Sequence, residues 1–393
     1  MKKHSLALAV ASLAVAAPAM AQNVTLFGVL DAAVVSINKA PTAAGSTSNV
    51  GMPSNLISAT SLPPGAHASN AAVDRVTAMV DGAVTSARWG MRGTEDLGGG
   101  LSALFYLEGD ANMQGYSHAS GLFRRGSYVG LSSKSMGELT IGNRVNPLIA
   151  ANGALMPVSG NGVSTLTSGA LGFSDFYTRN AINYTSPTIG GLVIVGQHGF
   201  SQDASSSNEG SVSAANATFT AGDLTVRAAY QNRRGTVASN ALSGSNAGST
   251  AGVVVDKVTT LFGLSYKVNN AITVAVAGFK NEVSNPTTKA AVYDLQGQQY
   301  GIGWQATPAV LLGLNATTAE GATMTNVQAR YALSKRTTGY VQVINADNGS
   351  KVAFSPTSMS SHTTFQIDGC TGGSCAVTNV RQTSMAVGVM HSF

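Results

Sequence analysis

The sequence predicts an all-β fold: a 16-stranded antiparallel transmembrane β-barrel with short turns at one end and long loops at the other. Three observations lead to this prediction. Only 10% of the 393 residues are charged and 44% are hydrophobic, whereas average soluble proteins carry about 25% charged residues. Apolar and polar residues alternate with a period of two along much of the chain. Short turn-like segments also alternate with long stretches of Ser, Asn, Gly and Ala.

The N-terminus has the layout of a secretory signal. Residues Met1–His4 are basic, Leu6–Ala17 form an apolar run, and Ala19–Ala21 is an Ala-x-Ala cleavage site. The apolar run is too short for an anchor, because a spanning helix needs about 20 apolar residues. We expect removal of residues 1–21, which leaves Gln22–Phe393 as a single barrel domain. Its formal charge is +3, the +5 of the whole chain less the two lysines of the signal.

The strands are predicted from alternation. Residues Leu101–Glu108 and Leu224–Gln231 place apolar side chains on one face and mostly polar ones on the other. No later segment has 18 consecutive apolar residues, so the exported chain is expected to be soluble or to cross an outer membrane as a closed barrel. Alternation alone does not exclude a soluble β-sandwich.

The connections favour the membrane barrel. Seven short turns are rich in residues that adopt turn conformations; they lie at Glu95–Gly100, Ser133–Gly137, Ser186–Gly190, Ala221–Asp223, Val268–Asn270, Ala306–Pro308 and Ser334–Thr337. The long connections expected between them include Ala40–Ser86, Asn146–Tyr177, Asn232–Val255 and Ala346–Val380. If both termini lie at the short-turn end, seven short turns imply eight long loops and sixteen strands. Outer-membrane barrels have short periplasmic turns and long external loops.

Composition argues against nucleic-acid binding and catalysis. The 23 basic and 18 acidic residues are scattered, whereas phosphate recognition needs a clustered basic surface. The six His residues do not pair at metal-ligand spacing, and nucleophile or nucleotide motifs are absent from the sequence. We therefore expect no enzyme, no cofactor, no metal and no nucleic-acid partner.

Six short motifs follow one another along the chain. The most specific is Ser86–Leu101 (SARWGMRGTEDLGGGL). The others are Val24–Asp31, Arg125–Leu131, Tyr184–Pro187, Tyr331–Thr337 and the ending His391–Phe393. Together, and in this order, they resemble the Gram-negative general porins of the β-proteobacterial branch. The sequence departs from the family pattern at Gly142–Arg144, where Gly-Arg-Gln is usual, and at Asn183, where Arg is frequent. It also lacks the Pro-Glu-Phe motif that is common in the third loop.

The resemblance implies a homotrimer of 16-stranded barrels in the outer membrane, each with its own water-filled pore. It also implies passive diffusion of small hydrophilic solutes and ions, and a third external loop that folds inward and narrows the channel. We expect this loop at Asn146–Tyr177, which is long, low in charge and partly apolar. In the family a terminal aromatic residue is recognised by the barrel-assembly machinery, which implies the same role for Phe393. Alternatively, Phe393 is simply the last residue of a strand.

Several arginines are candidates for the basic side of the constriction. Arg88 and Arg92 lie on the strand face opposite Trp89 and Met91, and an arginine on the lipid face costs about 2–4 kcal/mol. They therefore line the pore or, alternatively, lie solvated near a barrel rim. Of the adjacent pair at 124 and 125, only one can face inward in a regular strand. Alternation favours Arg124 and the family match favours Arg125, and a bulge or the end of the strand could reconcile the two. Further candidates are Arg144 and Arg179.

The candidate counter-charges are Glu108, Asp110 and Asp175, although Asp175 could also be an ordinary loop carboxylate. Few acids against several arginines predict a weakly anion-selective pore. In the last long loop, Cys370 and Cys375 are expected to form a small disulfide loop, because the exported chain meets an oxidising compartment. A zinc site is the alternative, but further ligands are not nearby in the sequence.

Of three alternatives to a general pore, the sequence leaves a solute-specific channel open. A non-conducting outer-membrane surface protein such as an adhesin or scaffold would need a dense lumen face or a passenger domain, and neither is evident in the sequence. A secreted β-sandwich enzyme would need a clustered catalytic set, which the sequence does not show.

Overall fold

The computed structural model describes residues 23–41, 72–111, 113, 122–158, 176–201, 210–238, 252–347 and 381–393. In these ranges there are seventeen strand segments and one helix, α1 (Pro147–Gly153). The segments are β1 (Asn23–Pro41), β2 (Ala72–Asp81), β3 (Arg88–Gly98), β4 (Leu101–Asp110), β5 (Gly126–Ser133), β6 (Gly137–Val145), β7 (Tyr177–Thr185), β8 (Leu192–Gly199), β9 (Val212–Ala221), β10 (Leu224–Ala238), β11 (Gly252–Lys267), β12 (Ile272–Ser284), β13 (Ala291–Thr307), β14 (Val310–Ala319), β15 (Ala322–Ala332), β16 (Thr337–Asp347) and β17 (Arg381–Ser392).

Segments β2 and β3 are two halves of one strand, because both pair antiparallel with β1. The interruption covers residues 82–87 and is held by Asp31, which is fully buried. Its carboxylate accepts hydrogen bonds from the backbone N–H groups of Val84 (2.8 Å) and Thr85 (2.7 Å). Seventeen segments therefore make sixteen strands, as predicted.

The barrel closes through β1 and β17, which pair from Val29 opposite Ser392 to Ile37 opposite Ser384. Gly28 and Phe393 add two reciprocal backbone hydrogen bonds of 3.1 and 3.0 Å. Every strand thus has a partner on both sides, which removes the open sheet edges that a bilayer does not tolerate. The predicted closed antiparallel barrel is confirmed.

All seven predicted short turns join consecutive strands at one end of the barrel. Both ends of the described chain lie there too, since Asn23 pairs with Thr94 near the first turn and Ser392 donates to the Arg336 carbonyl in the last.

The opposite end corrects the prediction of eight long loops. Only two residues, Glu320 and Gly321, separate β14 from β15, and both have positive φ (45° and 82°), as in a type I′ hairpin turn. The connection between β12 and β13 is also short and covers residues 285–290. It is held by the Asn285 side chain, which accepts hydrogen bonds from the N–H groups of Thr287 and Thr288. The expected long connection Ala40–Ser86 contains β2, and Asn232–Val255 is shortened because β10 and β11 extend into it.

The two faces of the sheet have the reverse of the polarity found in soluble proteins. Outward side chains are apolar and exposed, for example Val129 (62%) and Phe262 (58%). The alternating inward side chains include buried amides such as Gln231, which lies beside the exposed Tyr230. An apolar outer band with a polar interior is the pattern of a transmembrane barrel.

Among the described residues, no helix is long and apolar enough to span a bilayer.

Candidate functional site: the interior of the barrel

Charged side chains from β3, from β4 and from the two residues before β5 meet inside the barrel. The antiparallel register places Arg88 of β3 opposite Asp110 of β4, and Glu108 lies two residues away on the same face. Glu108 in turn is opposite Gly126 of β5. In β5, Val129 points outward and is exposed, so Gly126 lies on the inward face. The group therefore points inward. We call Arg88, Arg124, Arg125, Glu108 and Asp110 the charge cluster.

Within the charge cluster each carboxylate is paired with arginine. Arg125 Nε lies 2.6 Å from Glu108 Oε1, and its Nη1 lies 3.3 Å from Asp110 Oδ1. Arg124 Nε also contacts the Asp110 carboxylate. Arg88 Nε lies 3.7 Å from Glu108 Oε2. The two acids thus neutralise two of three guanidinium groups, which leaves one positive charge.

The structure answers the question of which arginine of the adjacent pair faces inward. Arg124 and Arg125 both precede the first residue of β5, so strand alternation does not apply to them. Both side chains are buried, with 9% and 6% exposed. The backbone N–H of Arg125 donates to the Glu108 carbonyl at 3.1 Å. The end of the strand, one of the two possibilities that reconcile the arginines, therefore applies here.

Arg125 also has an aromatic neighbour. The centre of the Tyr177 ring lies 5.6 Å from its guanidinium carbon. Arg125 is thus held by two carboxylates and one aromatic ring.

Arg88 is the member of the cluster closest to water. Its side chain is 30% exposed, and Nη1 donates to the Thr85 hydroxyl (3.1 Å) and the Ser86 carbonyl (2.9 Å). These two acceptors lie in the interruption between β2 and β3. The break in the second strand therefore holds the most exposed cation of the charge cluster in place.

Arg92 and Arg144 belong to a second group, nearer the short turns. The guanidinium of Arg92 lies 5.5 Å from the Phe27 ring centre, and that of Arg144 lies 4.8 Å from the Tyr128 ring centre. Tyr128 stacks on Tyr106 with centroids 5.1 Å apart.

Sequence reasoning missed two parts of this interior. Glu138 forms a 2.6 Å ion pair with Arg144, and alternation with the outward Leu139 and Ile141 could have indicated it. The hydroxyl of Tyr106 donates to Glu108 and so links the second group to the charge cluster. No spacing rule would have singled out that tyrosine.

The remaining candidates are not brought to the cluster. Arg179 is exposed beside Asn180, whose positive φ of 51° interrupts β7, and no ion pair joins Arg179 to the cluster within the described ranges. Asp175, Cys370 and Cys375 lie outside the described residues. The described residues include no group of three or more potential metal ligands.

The described part of the expected third loop, residues 146–158, lies against the inner wall. Asn146 caps α1 by accepting the N–H of Leu148 (2.9 Å), and Pro147 occupies the first helical turn. The Asn146 amide donates to Gln231 Oε1 at 2.7 Å and to the Thr178 hydroxyl at 3.3 Å. These bonds fix the start of the segment to inward side chains of β10 and β7.

Apolar contacts hold the same segment to the inner face of strands β10 to β16. Leu148, Ile149 and Leu155 are at most 5% exposed. They share one cluster with inward apolar residues of β10 to β16, namely Ala229, Leu261, Ala277, Phe279, Leu295, Ala319, Ala322, Met324, Ile344 and Ala346. Segment 146–158 therefore occupies space inside the barrel.

Comparison with known proteins relates the chain to one family. The sequence profile described as Gram-negative porin matches residues 7–351. The chain is 36% identical over 117 residues to an outer membrane porin protein of Bordetella pertussis, covering 29% of this chain and 30% of that protein. It is 32% identical over 205 residues to outer membrane porin protein 32 of Delftia acidovorans, covering 49% and 48%. The matches thus span less than half the length of these relatives.

Solved structures show the same fold. The anion-selective porin from Comamonas acidovorans superposes with a TM-score of 0.70 at 20% identity, covering 95% of this chain and all of that one. The trimer form of OmpT from Vibrio cholerae gives a TM-score of 0.59 at 12% identity, with coverage of 95% and 100%.

Proposed function

Because the chain belongs to the Gram-negative porin family, a family of outer-membrane channels without enzymatic chemistry, we propose that it forms a general diffusion pore. Small hydrophilic solutes and ions cross the outer membrane through its lumen. The observation that supports this most directly is the inward-facing polar wall, with amides such as Gln231 and the charge cluster inside an outer surface of exposed apolar side chains.

The pore is weakly anion-selective in this proposal. Three arginines against two carboxylates leave the charge cluster with one positive charge, and Arg88 presents it to the lumen. Salt at 0.1 M screens charges over about 10 Å, so a positive potential persists only where the channel is comparably narrow. Segment 146–158 supplies that narrowing from the opposite wall, within the expected constriction loop 146–177. The anion selectivity of the Comamonas porin agrees with this proposal.

Recording single channels in a planar bilayer tests the function. We expect wild-type protein to give discrete steps whose conductance rises with salt concentration, as for a water-filled pore. In a salt gradient the reversal potential should indicate a modest preference for anions at low salt. Absence of channels from correctly folded protein would favour a non-conducting surface protein. Saturation by one solute at low concentration would favour a solute-specific channel, and cation preference would refute the charge assignment.

We also propose a homotrimer, an assembly state named for the similar Vibrio cholerae structure. Unheated protein should migrate as an oligomer on a denaturing gel. After boiling it should give a single band slightly below 39.8 kDa, the mass of the whole chain with its signal. Light scattering of the detergent-solubilised protein gives the stoichiometry independently. A mass equal to one chain plus its micelle would contradict the trimer.

Three further proposals concern export and assembly. Residues 1–21 are cleaved on export, Cys370 and Cys375 form a disulfide, and the terminal Phe393 is recognised by the barrel-assembly machinery. The last is supported by position, since Phe393 ends the closing strand and pairs with Gly28.

A further inference from the structure

Four inward-facing glycines lie beneath residues 155–158, where the chain after α1 runs along the inner face of the barrel. We call Gly263, Gly301, Gly303 and Gly313 the glycine track. Gly303 and Gly313 are directly opposite each other on β13 and β14. The track therefore follows the segment from β11 to β14.

The track leaves no room for side chains. A Cβ on Gly313 would lie 1.7 Å from Val158 Cγ2, and one on Gly301 would lie 2.5 Å from Pro157 Cδ. At Gly303 the nearest atom, Pro157 Cβ, would be 3.1 Å away. Real Cβ atoms essentially never approach heavy atoms closer than 3.0 Å. Alanine at Gly313 or Gly301 therefore requires the segment to move.

Space, and not backbone conformation, explains these glycines. None of the four has a φ in the positive region that disfavours other residues. Alanine would even have the better backbone entropy in a strand. The absent side chains instead allow the segment to lie directly on the sheet.

Hydrogen bonds from the wall hold the chain at the start of α1 and at Val158. Asn216 Nδ2 donates to the Pro147 carbonyl at 3.0 Å, and Asn315 Nδ2 donates to the Val158 carbonyl at 3.1 Å. The sheet lies beneath the track and the hydrogen bonds restrict sliding along it, so added volume on the track displaces residues 155–158 away from the wall, toward the pore axis.

We propose that the glycine track positions residues 155–158 and thereby sets the width of the lumen at this level. The proposal rests on the proposed pore function. Each methyl group added to the track moves the segment toward the axis and lowers the flow of ions and the size of solute admitted. The four glycines are positioning residues for permeation, although they touch no permeating solute.

The test compares Gly313→Ala and Gly313→Val with Gly196→Ala and Gly278→Ala, two glycines at which an added Cβ meets nothing within 4 Å. Single-channel conductance should fall for Gly313→Ala, fall further for Gly313→Val, and stay at the wild-type value for the controls. Val158→Gly removes the three atoms nearest to the new Cβ, so it should restore conductance to Gly313→Ala. Heat-modifiable gel migration verifies that each variant is folded.

A second readout does not depend on current. Hydrogen exchange of the amides in 150–158 should accelerate in Gly313→Ala and not in the controls. If wild-type protein forms no channel, the proposed pore function is wrong. Hydrogen exchange would still show whether the glycine track positions residues 155–158. Folded Gly313→Ala with unchanged conductance and exchange overturns the proposal. Should the Gly313 variants not fold, the milder Gly303→Ala decides by the same two measurements.

Discussion

A chain that lacks residues 148–157 will conduct markedly more current per channel than the intact protein, and this is the largest effect that we expect. The deleted residues include most of α1 and the apolar contacts of Leu148, Ile149 and Leu155 with the inner wall. They do not belong to any strand, so the backbone ladder of the barrel remains complete. Removing them opens lumen area that solvent and ions can fill.

The deletion has a stability cost, because wall residues such as Phe279 and Leu295 become exposed to water. Burial of apolar surface contributes about 25 cal/mol per Å², so the variant should melt at a lower temperature. Liposome swelling with sugars of increasing size gives an independent measure of width. A folded deletion variant with the conductance and size limit of wild type would show that residues 148–157 do not narrow the pore.

Replacing Arg88 and Arg92 with Ser should move the reversal potential in a salt gradient toward the cation side. Most of the shift should come from Arg88, because its loss leaves the charge cluster without net charge. Arg92 lies with Phe27 nearer the short turns, away from the charge cluster. The shift should shrink at 1 M salt, because the screening length falls to about 3 Å.

Two further variants test whether the shift in reversal potential comes from the charges inside the barrel. Glu138→Gln removes a carboxylate that is 28% exposed inside the barrel beside Arg144 and should shift the potential in the opposite direction. Lys280→Ser serves as the control, because Lys280 faces outward, exposed beside Glu282. Arg125 is a poor probe, since removing one partner of a buried ion pair costs about 3–5 kcal/mol. Equal shifts for Arg88→Ser and Lys280→Ser would mean that the charge cluster does not set selectivity.

The architecture was predictable because its signals are local. A period of two depends only on neighbouring residues, and it separated the outward Tyr230 from the inward Gln231 correctly. The seven short turns were readable because Gly, Asn and Pro favour turn conformations wherever they occur. Strand number then followed from the count of turns. The two short connections at the other end were missed because Glu320 and Lys289 are unusual residues for a positive φ.

The site was predictable only as a list of candidates. The alternation of apolar and polar residues placed Arg88 and Glu108 on inward faces. It could not show that Arg124 and Arg125 both precede β5 and share the carboxylates of Glu108 and Asp110. Nor could alternation show that Arg179, whose strand is irregular at Asn180, lies apart from the charge cluster. Pairing of charges depends on strand register and on where strands begin, which alternation leaves uncertain by several residues.

From its sequence alone, this protein is determined to be a sixteen-stranded barrel with a polar interior, short turns at one end and arginines facing inward. Only the tertiary structure decided which arginines are neutralised, why the second strand is interrupted at residues 82–87 beside Asp31, and how segment 146–158 lies on the wall. The physical reason is distance along the chain. Val158 and Asn315 are 157 positions apart, and their contact exists only because closure of the barrel brings β14 beside the inward segment.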